Sequence, residues 1–349
     1  MRALHLRTLA ATGLTAAAAL MVAAGFGSGP SSAEGHPRAL PAHVFAPYFE
    51  TWTTNRLIRV AGRSGARDFT LAFIQAPRRG SCTPTWNGDP AEPTSAGRYL
   101  PGLAALRREG GDVIPSFGGY SADHALTEIA DACPGAGRLA RAYESVIRTY
   151  GATRLDMDVE DRSLEHHAGI DRRNRALRLV ERWARRHARP LQISYTLPVE
   201  PAGLEADGLA VLRDAVRVGT RIDVVNIMTF DYYDGVTTDM GGAAISAARG
   251  LHRQLHRLYP GGSARRLWAM EGVTILPGID DYPRKTEVTY LADAARLRRF
   301  AEHAGIGTLS MWAIERDNGA CPGRIDSNTC SGIVQRRWAF THLLQPFTS

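Results

Sequence analysis

Residues 154–160 read Arg-Leu-Asp-Met-Asp-Val-Glu, a period-two alternation that puts Asp156, Asp158 and Glu160 on one face of an extended strand and Leu155, Met157 and Val159 on the other. The apolar face calls for a hydrophobic layer, which helices packed over a sheet supply. The acidic face crowds three carboxylates into one space. They disfavour one another's ionisation, so at least one is expected to hold a proton at neutral pH, as a general acid must. Display on the surface or pairing with arginines is the plain alternative, but alternating acids on a buried strand are costly unless the charges are paired or used. An EF-hand loop does not fit, because Asp161 stands where glycine is required and His167 where the bidentate glutamate belongs.

Working outward, similar β-rich runs alternate with helical patterns from His43 onward. With the acidic strand they number eight: HVFAPYFE from His43, FTLAFIQA from Phe69, DVIPSFGG from Asp112, RLDMDVE from Arg154, LQISYTLP from Leu191, DVVNIMTFD from Asp223, LWAMEGVTIL from Leu267 and TLSMWAIERD from Thr308. The stretches 138–150, 244–259 and 290–304 carry apolar residues at helical spacing. Regular alternation implies parallel strands with right-handed crossovers, and eight repeats suit a closed barrel. The expected fold is α/β, a single-domain (β/α)₈ TIM barrel over residues 43–346, entered through a leader at 34–42. Chemistry in such barrels sits at the carboxyl ends of the strands. Glu50, Ser116, Asp156, Asp158, Glu160, Tyr195, Asp231, Trp312 and Asp317 all fall there.

The first residues set the compartment. Arg2, His5 and Arg7 precede an Ala/Leu-rich run, and Ser31 and Ala33 offer small-residue cleavage positions, so residues 1–33 read as a signal peptide and the mature protein as secreted and extracellular, without stable membrane insertion. Cys82, Cys133, Cys321 and Cys330 form an even set, which in an exported chain points to two disulfides. Three pairings are possible. We favour Cys82 with Cys133, tying two neighbouring strand-end loops, and Cys321 with Cys330, closing a short one. The net charge of +7 is almost entirely arginine, Lys285 being the only lysine; the arginines are scattered over helix faces such as 172–189, so no nucleic-acid partner is expected. No repeat, linker or appended module is evident, and a monomer is expected. His166-His167 lack the cysteine or carboxylate spacing of a metal site, and no metal or cofactor is expected.

Several motifs together resemble family 18 glycoside hydrolases, the chitinases and related endo-N-acetylglucosaminidases. DMDVE is similar to the second half of the D-x-x-D-x-D-x-E signature, Ser116-Phe117-Gly118-Gly119 to the S-x-G-G of the third strand, NIMTFDYY (226–233) to the sixth-strand M-x-Y-D region, and SMWAIERD (310–317) to the eighth-strand tryptophan. The resemblance runs from about residue 43 to 317 in the expected order, and SYTLPVEPAGL with NIMTFDYY looks most like a bacterial and archaeal chitinase branch. Two positions depart from the pattern: Thr153 replaces the first aspartate, and Phe230 replaces the tyrosine before Asp231.

The resemblance implies hydrolysis of β-1,4-linked N-acetylglucosamine polymers, chitin or its oligosaccharides, by a retaining mechanism in which the substrate's own acetamido carbonyl is the nucleophile. Glu160 is then the general acid and base, Asp158 the holder of the acetamido N–H, and Asp156 the residue that orients Asp158 and shares its proton. Ser116 supports them from behind. Asp231, Met228, Trp312 and either Tyr232 or Tyr195 are the expected substrate contacts, one of the two tyrosines standing in for the missing hydroxyl; Trp52 and Trp86 are weaker stacking candidates. Cleavage of N-glycan cores is the rival reading, and a non-catalytic chitin-binding lectin, which would be expected to lack the acid glutamate, is a further one.

Overall fold

The structure, a computed structural model, describes residues 39–281, 286–325 and 327–349. The expected signal peptide and the leader up to residue 38 lie outside the described residues, as does Lys285. The strands are β1 (Val44–Phe45), β2 (Tyr48–Glu50), β3 (Asp68–Gln75), β4 (Thr85–Trp86), β5 (Asp112–Gly118), β6 (Arg154–Asp158), β7 (Gln192–Pro198), β8 (Val224–Met228), β9 (Glu271–Ile275), β10 (Gly278–Ile279), β11 (Val288–Thr289) and β12 (Thr308–Met311). Parallel pairing runs β1, β12, β9, β8, β7, β6, β5, β3, β2. Both ends of that order fall on residues 44–50, where β1 pairs with β12 and β2 with β3, so this one stretch closes the barrel. Pro47, which has no N–H to give, sits at the break between its two halves.

The strand interiors obey the alternation. Leu155, Met157, Ile193, Tyr195, Val225 and Ile227 are fully buried in the main hydrophobic cluster, which the helices complete. Helix Ala136–Tyr150 contributes Leu139, Tyr143, Val146, Ile147 and Tyr150 on one face and ends at Gly151, whose left-handed backbone (φ 60°) stops the helix without a Cβ penalty. Each such large apolar side chain contributes about 1.5–3 kcal/mol on burial.

One strand starts later than expected. Residues 264–269 form a helix instead, begun by Ser263, whose side chain accepts the Arg266 N–H, so that strand spans only Glu271–Ile275. The last strand stops at Met311, and Ile314–Arg316 turn as a 3₁₀ helix. Both favoured disulfides, Cys82–Cys133 and Cys321–Cys330, are present. Among the described residues no helix is long and apolar enough to cross a membrane.

Candidate active site

Strand β6 turns Asp156 into the barrel, where hydroxyls surround it. Asp156 Oδ2 accepts from Ser116 Oγ (2.7 Å) and Tyr48 OH (3.1 Å), and Oδ1 from Thr196 Oγ1 (2.8 Å). Thr196 is held in turn by Asn226 Nδ2 (3.0 Å), which also reaches Thr274 Oγ1 (2.7 Å). Five strands therefore converge on one carboxylate. Burial pushes Asp156 above the usual carboxylate range, and the hydroxyl donors pull against it.

Asp158, one step nearer the mouth, is 2% exposed, and its Oδ1 has no hydrogen-bond partner among the described residues. Burial, then the charges of Glu160, Asp156 and Asp123, raise it well above the ordinary value. Glu160 follows the strand and opens the short helix Asp161–Glu165. Its carboxyl is pushed up to about 7, chiefly by burial; the Tyr120 backbone N–H counters this and Asp161 adds to it. A group poised there is suited to both giving and taking a proton near neutrality.

The glycine pair of SFGG has a steric cause. A Cβ on Gly118 would lie 1.9 Å from the Asp158 carbonyl oxygen, and one on Gly119 would lie 2.5 Å from the Phe73 ring. Only glycine lets β5 pass this close to the acidic strand.

Trp312 forms an aromatic floor just past the last barrel strand, joined to Asp156 through Tyr48. Its ring stacks on Phe73 (5.4 Å, 17°), meets Tyr48 edge-on (5.5 Å) and lies 6.1 Å from Trp52. Trp52 is 46% exposed at the rim, where sequence placed it as a stacking candidate. Met228 ends β8 on the same face as Asn226, toward the mouth.

Other expected contacts lie elsewhere. Tyr195 shares the outward face of its strand with Ile193 and Leu197, and its hydroxyl donates to Asn174 Oδ1 (2.7 Å) on helix His167–Arg186; it belongs to the helix layer, not the cavity. Trp86 is fully buried and donates Nε1–H to Tyr150 OH (3.1 Å), because β4 folds back antiparallel on β3 and carries it into the core. Asp317 accepts from the N–H groups of Phe340 and Thr341 and so anchors the C-terminal helix Ala339–Leu344. His166 Nδ1 pairs with Asp131 Oδ1 at 2.7 Å.

Asp231 and Tyr232 belong to a second acidic group. The Asp231 N–H donates to Asp280 Oδ2 (3.0 Å) and the Tyr232 N–H to Glu287 Oε2 (2.9 Å). Burial, with Asp280 alongside, pushes the Asp231 carboxyl up to about 10. The Tyr232 hydroxyl is buried without a hydrogen-bond partner among the described residues. Sequence reading missed Tyr48, Thr196, Asn226, Phe73 and Asp123. The strand parity that places Asp156 also places Thr196 and Asn226, and it was the available signal. Among the described residues no three His, Cys, Asp or Glu side chains are grouped to hold a metal ion.

The model of Glycosyl hydrolases family 18 matches residues 44–266. The chain is 33% identical over 325 residues to the probable bifunctional chitinase/lysozyme of Escherichia coli (strain K12), covering 89% of this chain and 35% of that protein. It is 33% identical over 290 residues to Endochitinase 11 of Metarhizium anisopliae, covering 80% and 53% respectively. It therefore spans between about a third and about half of the length of these relatives. Catalytic-site mutants of active domain 2 of the Pyrococcus furiosus chitinase superpose with a TM-score of 0.76 at 32% identity, over 88% of this chain and 96% of that one. Mutants of that domain complexed with chito-oligosaccharides give 0.74 at 31%, over 88% and 95%. With the family pattern reaching from the first barrel strand to the helix before Glu271–Ile275, and a solved domain matched along nearly its whole length, the chain belongs to glycosyl hydrolases family 18.

Proposed function

We propose that this protein is a secreted, monomeric chitinase that cleaves β-1,4-linked N-acetylglucosamine polymers with retention, using Glu160 as acid and base. The observation that carries the reading is Asp158, buried between Glu160 and Asp156 with one oxygen lacking a partner among the described residues, where an acetamido N–H needs an acceptor. Glu160 gives its proton to the leaving glycosidic oxygen while the acetamido carbonyl oxygen bonds to the anomeric carbon. Asp158 balances the positive charge that grows on the oxazolinium ring, and Asp156, cradled by three hydroxyls, shares the proton Asp158 gives up. Water then attacks the anomeric carbon, Glu160 takes its proton, and the ring opens with retained configuration.

The Pyrococcus domain that this chain resembles has been seen with chito-oligosaccharides, which supports the substrate class. Two disulfides suit an oxidising, extracellular setting. Release of reducing ends from chitin oligomers tests the reading. Wild type should be active and Glu160→Gln slower by about 10²–10⁴-fold or more, with oligomer binding retained. Turnover by Glu160→Gln at the wild-type rate would end the proposal.

A further inference from the structure

Asp123 lies in the short helix Tyr120–Ala125 that follows the glycine pair, and it is fully buried. Its Oδ2 accepts the backbone N–H of Glu160 at 2.5 Å. Its Oδ1 is buried without a hydrogen-bond partner among the described residues. The charged groups that face it come from several elements: Glu128 from the same loop, Glu160 from the turn after β6, and Arg173 from helix His167–Arg186. Asp123 in turn bears on Asp158 of β6. Arg173 is already committed to Glu128, with Nη2 to Oε2 at 2.9 Å, and Asp123 has no ion pair among the described residues. Burial and the two glutamates raise it well above the ordinary range. A group this costly to bury is poorly explained by stability alone.

We propose, building on the reading of Glu160 as acid catalyst, that Asp123 is a positioning residue that fixes the Glu160 peptide and thereby the place of its carboxyl beside Asp158. The grip is two-sided. The Tyr120 N–H meets the Glu160 carboxylate, while the Asp123 carboxyl, on the same helix, holds the Glu160 backbone. The rest of the loop after β5 clasps the same turn. His124 Nδ1 pairs with Asp161 Oδ2 (2.8 Å), Arg162 Nη1 donates to the His124 carbonyl (3.1 Å), and Asp131 accepts from Ser163 Oγ and pairs with His166. Cys133, at the end of this loop, is tied to Cys82 in the loop after β3. Glu160 therefore rides on a turn whose position a neighbouring loop dictates, and Asp123 supplies the side-chain grip on the catalyst's own peptide.

The test is a kcat and KM series on folded full-length protein. Asp123→Ala should lose about 10²-fold in kcat with KM little changed, since a small misplacement of a catalytic group costs about that much. Asp123→Asn, which keeps an oxygen able to accept the Glu160 N–H, should restore most of the loss. If the alanine variant fails to fold, Asp123→Ser, whose oxygen is too short to reach, takes its place with the same expectation. A folded Ala or Ser variant with wild-type kcat, or an Asn variant as impaired as the Ala or Ser variant, overturns the positioning role. Glu160→Gln measured alongside separates the two claims: its inactivity with an unaffected Asp123 series defeats this proposal alone, whereas its full activity defeats the acid assignment and this proposal with it.

Discussion

Tyr48 OH reaches Asp156 Oδ2 at 3.1 Å across the barrel from a residue 108 positions earlier in the chain. The same hydroxyl lies 3.0 Å from Thr196 Oγ1, the other side of Asp156's cradle, so one tyrosine joins strands β2, β6 and β7 around a buried acid.

Tyr48→Phe should therefore destabilise the protein by about 1–3 kcal/mol at neutral pH, the cost of depriving a buried polar group of a partner. The loss has a pH signature. Burial already raises Asp156 above its ordinary 3.8, and removing a donor raises it further. Below pH 3.8 the carboxyl is protonated folded and unfolded, and this part of the cost vanishes. It appears as pH rises through the raised folded value of the wild-type carboxyl, where wild type ionises and the variant does not, and levels off once the variant ionises too. Urea unfolding over a series from pH 3.5 to pH 9 measures it; a loss that does not grow anywhere in that range would contradict the hydroxyl-to-carboxylate account.

Glu160→Gln should be more resistant to denaturation than wild type at alkaline pH. The folded carboxyl is raised from 4.5 to about 7, so between those values the unfolded chain ionises while the folded one holds its proton, and the folded state is progressively penalised. Above pH about 7 the penalty is at its largest, on the order of a few kcal/mol. Below 4.5 this contribution disappears. Melting curves from pH 4 to pH 9 should diverge upward for the variant. The same value sets the alkaline limb of wild-type kcat/KM near pH 7, because the acid must carry its proton into the reaction.

What sequence revealed and concealed divides along physical lines. The acidic strand was legible because its two faces differ sharply in character, Asp156 and Asp158 against Leu155 and Met157. In β7 both faces are buried, and Ser194 and Thr196, not the larger Tyr195 between them, look inward. A polar atom on an aromatic ring gave the wrong parity, since its partner, Asn174, is a helix residue that no strand pattern announces. Trp86 looks like a free stacking ring because the two-residue strand that buries it is shorter than any periodic signal. Asp123 reaches Glu160 across 37 positions from a six-residue helix, so its role is set by tertiary contact alone.

Tyr195→Phe isolates that correction. The hydroxyl is buried and its bond to Asn174 Oδ1 is 2.7 Å, so its loss should cost about 1–3 kcal/mol of stability. KM and kcat for chitin oligomers should stay near wild type at temperatures where both proteins are folded. A KM rise with unchanged stability would return Tyr195 to the cavity.

Trp52 and Trp312 should respond differently to removal, although their rings are 6.1 Å apart. Trp52, 46% exposed at the rim, stacks on Phe73 and meets Trp312 at a tilt. Trp52→Ala should therefore raise KM by about 3- to 10-fold, the worth of one exposed stacking contact, and spare kcat. Trp312 packs edge-on against Tyr48, whose hydroxyl holds Asp156. Trp312→Ala frees that ring as well as removing the floor, so it should lower kcat in addition to raising KM. Steady-state rates on a soluble chitin oligomer decide it, and a Trp312→Ala variant changed in KM alone would show that the floor and the acid cradle are independent.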